Sequence, residues 1–299
     1  MVTETIPAKS LLSAYQSRGW FASNYTMNIY RGCSHGCIYC DSRSKCYGIE
    51  DFDTVRSKDN ALILLEKELR SKRRKGIILT GSMSDPYNPL EASEQLTQKA
   101  IGLINKYGFG IVILTKSALV KRDLDLLLKV KEHSPAVVNF TVTTCDDMLC
   151  RKIEPGASPA SERFAAMQFL SQNGIICGVL LLPVLPFITD TEKNMEEIAN
   201  KAAQAGARWI YAEGPAAVSL RDRQKEYFYR KLQEEFPNLK ERYLKQYPNQ
   251  FWCVSPQTGL KEVLKKACDK YTLLNKSEDI DHLIKQCNKT GQLELFNLA

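Results

Sequence analysis

From residue 26 onward the chain alternates short β-branched, apolar runs with longer stretches whose apolar positions recur at helical spacing. That alternation predicts repeated βα units around a parallel sheet. Strands are expected at 26–30, 76–80, 110–115, 137–143, 175–182 and 208–212, with helices at 60–72, 93–107, 121–131, 160–172 and 191–205. Gly108, Gly174 and Gly206 each close a helical run and precede a strand, where a left-handed cap is needed. About six units fall short of the eight that close a full barrel, so the expected fold is α/β, a partial (β/α)6 TIM-type barrel with an open side. Two segments are candidates to cover it. Residues 1–24 read as an N-terminal wrap, 25–218 as the barrel, and 219–299 as a helical C-terminal extension and tail. In the extension, 221–231 and 234–245 read as solvated helices broken by Pro237 and Pro248. The basic run at 70–75 ends a helix, where cations suit the dipole.

Composition narrows the picture only a little. The 299 residues are 44% hydrophobic and 25% charged, an ordinary globular balance. No apolar run reaches the roughly 18 to 20 residues that span a bilayer, and the N-terminus lacks a basic-then-apolar signal. The expectation is a cytoplasmic protein with no membrane partner. Ten cysteines without an export signal fit a reducing compartment and argue against a disulfide framework. A formal charge of +7 leans towards a polyanionic partner, although positive charge also aids solubility.

The candidate chemistry lies directly after the first expected strand. Cys33, Cys37 and Cys40 stand at C-x3-C-x2-C spacing in Arg31-Gly32-Cys33-Ser34-His35-Gly36-Cys37-Ile38-Tyr39-Cys40. Three thiolates can ligate three irons of a 4Fe-4S cluster and leave the fourth iron without a protein ligand. The alternative is a tetrahedral zinc with Cys46 or His35 as fourth ligand. Structural zinc sites usually join two separated pairs, and no second CxxC follows here. The spacing, with an aromatic residue before the last cysteine, resembles the radical S-adenosylmethionine (SAM) enzymes. There the open iron chelates the amino and carboxylate groups of SAM, and an electron from the cluster releases a deoxyadenosyl radical. Other strand ends complete the mouth of such a sheet, where α/β folds bind ligands. The second ends in Thr80-Gly81-Ser82-Met83-Ser84-Asp85, the third in Thr115-Lys116-Ser117, and the fourth in Thr141-Val142-Thr143-Thr144. They offer small residues for the methionyl part, an ammonium for a carboxylate, and hydroxyls for ribose.

More closely, the chain resembles the spore photoproduct lyase-like branch of the radical SAM superfamily, the DNA repair photolyase homologues, over about residues 24–214. The matching residues are Tyr30 to Cys40, Ser84-Asp85-Pro86-Tyr87-Asn88-Pro89-Leu90-Glu91, Thr115-Lys116-Ser117, Glu154-Pro155, Arg163, Pro183-Val184-Leu185-Pro186 and Thr189-Asp190. The resemblance implies a barrel of the radical SAM class, a 4Fe-4S cluster on Cys33, Cys37 and Cys40, and SAM as cofactor. Ser84, Lys116 and Thr143 are the implied SAM contacts, and Tyr39 the residue packed beside cluster and cofactor. It also implies a reductant such as flavodoxin or ferredoxin, lyase-like chemistry and a DNA-related substrate. Two departures stand against photoproduct reversal: no cysteine ends the second strand, and Asp41 replaces the tyrosine that follows the third cluster cysteine. Cys145, on the loop after the fourth strand, is either a substitute hydrogen donor or a small buried hydrophobe.

Gln292-Leu293-Glu294-Leu295-Phe296 resembles the peptide by which bacterial repair and replication proteins dock on the sliding clamp. Gln292, Leu293, Leu295 and Phe296 either fill the clamp's pocket or pack on the chain's own barrel. His35 reads as an orienting residue of the cysteine loop. Cys150, Cys177, Cys253, Cys268 and Cys287 read as buried thiols more readily than as an auxiliary cluster. The competing functional class is a non-catalytic DNA-associated adaptor with a structural metal and a clamp-binding tail.

Overall fold

The computed structural model describes residues 4–16, 19–212 and 217–287. Six parallel strands form the main sheet: β1 (Tyr25–Met27), β2 (Ile77–Thr80), β3 (Gly110–Thr115), β4 (Ala136–Thr141), β5 (Ile176–Leu180) and β6 (Ile210–Tyr211). They lie side by side in chain order, and Leu12–Ala14 adds a seventh, antiparallel strand beyond β1. The register pairs Tyr25 with Ile78, Ile78 with Ile111, and Ile113 with Val138. This is the expected open α/β partial barrel. Gly108, Gly174 and Gly206 take φ of 71°, 83° and 78°, the left-handed caps expected of them.

The helices that return the chain are α1 (Ala61–Ser71), α2 (Leu96–Lys106), α3 (Leu124–Lys131), α4 (Asp147–Ile153), α5 (Ala160–Gln172) and α6 (Glu192–Gln204). The extension holds α7 (Asp222–Glu235), α8 (Lys240–Gln246), α9 (Leu260–Lys270) and α10 (Ser277–Gln286). Strand alternation divides the core into two layers. Ile78, Ile111, Ile113, Val138 and Phe140 face the helices and pack with Leu65, Ile101, Leu127, Met167 and Ile198. Their neighbours Ile77, Leu79, Val112, Val137 and Leu180 face the concave side with Trp209. Phe21 of the Trp20–Ala22 turn and Ile280 and Ile284 of α10 fill that side. Both terminal segments therefore cover the open barrel.

Several boundaries differ from the sequence reading. The first strand stops at Met27, and Tyr30–Arg31 instead joins Arg56–Lys58 and Thr5–Ile6 in a separate sheet of three strands. The expected helix at 93–107 is broken at Gln95, which adopts φ 54° between a short turn, Glu91–Glu94, and α2. Residues at the start of the expected 121–131 helix form a 3-10 turn, Ala118–Asp123. Helices α7 and α8 are not simply solvated: Phe228, Tyr229, Leu232 and Tyr243 are buried against Ile38, Ile153 and Leu185. Among the described residues no helix is long and apolar enough to cross a membrane.

Candidate functional site

The three-stranded sheet closes the base of the cysteine loop. Tyr30–Arg31 enters the loop and Arg56–Lys58 leaves it, while the Cys33 N–H donates to the Phe52 carbonyl at 2.8 Å. Gly32, at φ 82°, makes the turn into the loop, and a Cβ there would lie 2.4 Å from the Thr54 carbonyl oxygen. On the far side the Ile38 N–H donates to the Ile153 carbonyl, and Gly156 N–H to that of His35. The loop is thus stitched to the segment after α4.

This brings Cys33, Cys37 and Cys40 to the wall of a cavity of about 340 Å³ at the carboxyl ends of the strands. Gly81, Ser82, Met83 and Asp85 line it from the end of β2, Thr115 and Lys116 from β3, Thr141 from β4, and Leu180, Leu182 and Pro183 from β5. Asp85 binds the pieces together: it accepts from Thr115 Oγ1 and the Lys116 N–H, each at 2.7 Å, and lies 3.4 Å from His35 Nδ1. His35 is thereby tied to the end of β2. Burial holds its pKa below the ordinary imidazole value against the pull of Asp85.

Tyr39 lines the same cavity, and its hydroxyl donates to Glu154. Glu154 is buried and pairs with Arg163 at 2.6 Å, and Arg163 also donates to the Thr141 carbonyl at 2.8 Å. Burial would raise the Glu154 pKa, but the charges of Arg163 and Lys116 outweigh it and hold the carboxyl below its usual range. Lys116 sits 5.7 Å from the Tyr39 ring centroid. Burial disfavours its ammonium, yet Cys37, Glu154 and Asp85 together raise its pKa. A cation therefore faces the cysteine wall.

Ser84 and Thr143, two of the expected SAM contacts, stand behind the residues that line the cavity. The Ser84 hydroxyl is buried and donates to the Gly32 carbonyl, so it braces the cysteine loop while Ser82 and Met83 line the cavity. Thr143 is buried beyond the end of β4, and its carbonyl accepts from Asn194 of α6; Thr141 is the residue that lines the cavity. Cys145 packs in the layer between sheet and helices. Asp41 lines the cavity and accepts from Tyr47 at 2.6 Å and from Ser219 and Arg221. The sequence marks Asp41 by its place after Cys40 and Trp252 as an aromatic that can stack on a base or pack on a helix. The meeting of Asp41, Ser219, Trp20 and Trp252 at one cavity had no local signal, because it arises only through the docking of both terminal segments.

The donor set fits a cluster better than a single ion. Among the described residues no three His, Cys, Asp or Glu side chains converge on one ion-sized point, and Cys46 is exposed on a separate 3-10 turn. A cluster needs no such convergence, since each thiolate takes its own iron. Burial raises all three thiol pKa values, that of Cys33 to about 12, and bound iron supplies the positive charge that favours thiolates. Cys177 and Cys268 lie in the outer layer, whereas Cys253 lies in the core under α7 and α8. These thiols are not gathered at an auxiliary site. The clamp-like residues Gln292, Leu293, Leu295 and Phe296 fall outside the described residues.

A family model described as the radical SAM superfamily matches residues 27–202. An uncharacterised protein of Mycobacterium tuberculosis is 33% identical over 247 residues, covering 80% of this chain and 72% of the relative. A radical SAM Nα-GlyT isomerase of Pseudomonas phage M6 is 22% identical over 192 residues, 64% of this chain and 39% of that protein. Spore photoproduct lyase complexed with dinucleoside spore photoproduct superposes with a TM-score of 0.61 at 14% identity, over 91% of this chain and 81% of that one. That likeness extends to the fold. The chain belongs to the radical SAM superfamily, and its cofactors are a 4Fe-4S cluster and SAM.

Proposed function

We propose that this radical SAM enzyme abstracts hydrogen from a DNA-related, nucleobase-bearing substrate presented at the rim of the cysteine-lined cavity. The observation that carries the reading is that one cavity joins the three cysteines to Lys116, the strand ends and an open rim containing Trp20 and Trp252. When bound, the cluster supplies the electron that splits the SAM sulfonium and releases a deoxyadenosyl radical. The chain's own residues hold and orient. Cys33, Cys37 and Cys40 hold the iron; Lys116 attracts the carboxylate of SAM; and Tyr39, fixed through Glu154 and Arg163, packs beside the cofactors. Thr141 lies where a ribose hydroxyl can be bound, with Ser84 and Thr143 supporting the wall from behind.

The dinucleoside held by the structurally similar lyase supports a nucleobase-bearing substrate, and the +7 charge supports a polyanionic one. The proposed reaction is not photoproduct reversal by the relay of the lyase. Met83 lines the cavity at the end of β2, Asp41 is tied to Arg221, and Cys145 packs behind the sheet. A flavodoxin or ferredoxin supplies the electron, and the 292–296 peptide brings the enzyme to DNA through the sliding clamp. Deoxyadenosine release, measured with ultraviolet-damaged DNA, undamaged DNA and cell-extract fractions, tests the substrate class. DNA is expected to stimulate release; stimulation by a nucleic-acid-free fraction alone would reject a DNA substrate.

A further inference from the structure

The chain has three tryptophans, and Trp209 is wholly buried. Trp20 is 48% exposed, Trp252 is 46% exposed, and both line the cavity that contains the cluster cysteines. A scattered exposed indole needs no explanation. Two on the rim of one reaction cavity, each on a fixed mount, do. Trp20 opens a turn in which Phe21 and Ala22 both adopt left-handed backbone, φ 54° and 56°, a conformation that costs energy in residues with a Cβ. The turn is pinned by the Ala22 N–H donating to Asp281 at 2.9 Å and by Phe21 buried against Trp209 and Tyr211. The Trp20 ring lies 6.0 Å from that of Tyr211. Trp252 belongs to the strand Trp252–Cys253, paired with Val218–Ser219, and Phe251 meets its ring edge-on at 4.8 Å. Buried Cys253 anchors that strand from below.

We propose that Trp20 and Trp252 are substrate-binding residues that stack on a planar heteroaromatic ring, a base of single-stranded DNA, and hold it beside the site of radical formation. The inference rests on the proposed function. An indole offers a large flat apolar face at small entropic cost, and every base presents a matching π-face. Trp252 pairs with Ser219 across the two-stranded sheet, and Ser219, Asp41 and both indoles line the same cavity as the cluster cysteines, so a ring stacked there borders the reaction chamber.

The test uses the anaerobically reconstituted protein with SAM bound and a ten-residue oligothymidylate. Because Trp209 is buried, acrylamide quenching reports on Trp20 and Trp252. The oligonucleotide is expected to shield both indoles, and Trp20→Ala and Trp252→Ala each to weaken its binding at least about fivefold, with less loss in the Phe variants. Far-UV circular dichroism identifies an Ala variant that has lost its fold, in which case the Phe variants and the shielding of the parent decide. Shielding by SAM alone would place the indoles in the cofactor pocket and overturn the proposal, as would Ala variants that bind like the parent. Deoxyadenosine release by the parent is measured separately. Release without shielding rejects this inference only, whereas no release rejects the reading beneath it.

Discussion

At the scale of single residues, the site rests on a buried ionic group behind the cavity wall. Glu154 joins Tyr39 on one side and Arg163 on the other, and Arg163 also donates to the Ser158 and Thr141 carbonyls and to Cys150 Sγ. Removing Arg163 leaves the buried Glu154 carboxylate with only the Tyr39 hydroxyl and the Lys116 charge to balance it, a loss of about 3–5 kcal/mol. Arg163→Met is therefore expected to lower unfolding free energy by that order in urea denaturation; a loss under about 1 kcal/mol would contradict the network's role. The cysteines were legible because their chemistry is encoded in local spacing. Lys116 was legible because it directly follows a strand whose end is sharply marked. Thr143 stands behind the cavity lining because β4 ends at Thr141, and beyond it the Thr143 carbonyl is taken by Asn194. Ser84 stands behind the lining because the side chain of a loop residue can turn back to the backbone, as it does to Gly32.

At the scale of elements, the six strands and five connecting helices were readable from pattern, since the central strands are short apolar runs buried on both faces and the helices each bury one face. The failures have tertiary causes. The helix at 93–107 breaks where Glu91 is captured by Tyr30, Arg122 and the N–H groups of Thr97 and Gln98. Helix α4 was missed because it has only seven residues, though Asp146 caps it by accepting from the Met148 and Leu149 N–H groups. The contact of the segment after α4 with the cysteine loop fixes the loop's position. A Cβ at Gly156 would lie 2.5 Å from the Ser34 carbonyl oxygen and 3.0 Å from the His35 Cα. Gly156→Ala should push the loop aside and reduce bound iron per chain by half or more, while circular dichroism keeps its helical signature. Unchanged iron content would mean that this contact does not hold the loop.

On the scale of the whole molecule, the terminal segments complete the barrel. Helix α10 places Ile280 and Ile284 on the concave side with Phe21 and Trp209, and α9 adds Leu264 and Ala267 to the outer layer. The extension read as solvated because its charged residues are dense, and they mask one narrow apolar face on each helix. Ile284→Ala should destabilise the protein by about 2–4 kcal/mol, read as a lower urea midpoint. An unchanged midpoint would mean that α10 is not part of the cooperative fold. Closure from both ends also places Trp20, Ser219 and Trp252 on the rim, a juxtaposition no local pattern encodes.

The central claim is that Cys33, Cys37 and Cys40 hold a cluster that cleaves SAM reductively. The direct measurement is deoxyadenosine release from SAM by anaerobically reconstituted protein with dithionite, set against the Cys40→Ala variant. The parent is expected to release deoxyadenosine and the variant to lose at least about a hundredfold in rate, an effect of about 2.7 kcal/mol or more on the barrier. Equal release by both, or none from a fully reconstituted parent, would contradict the account.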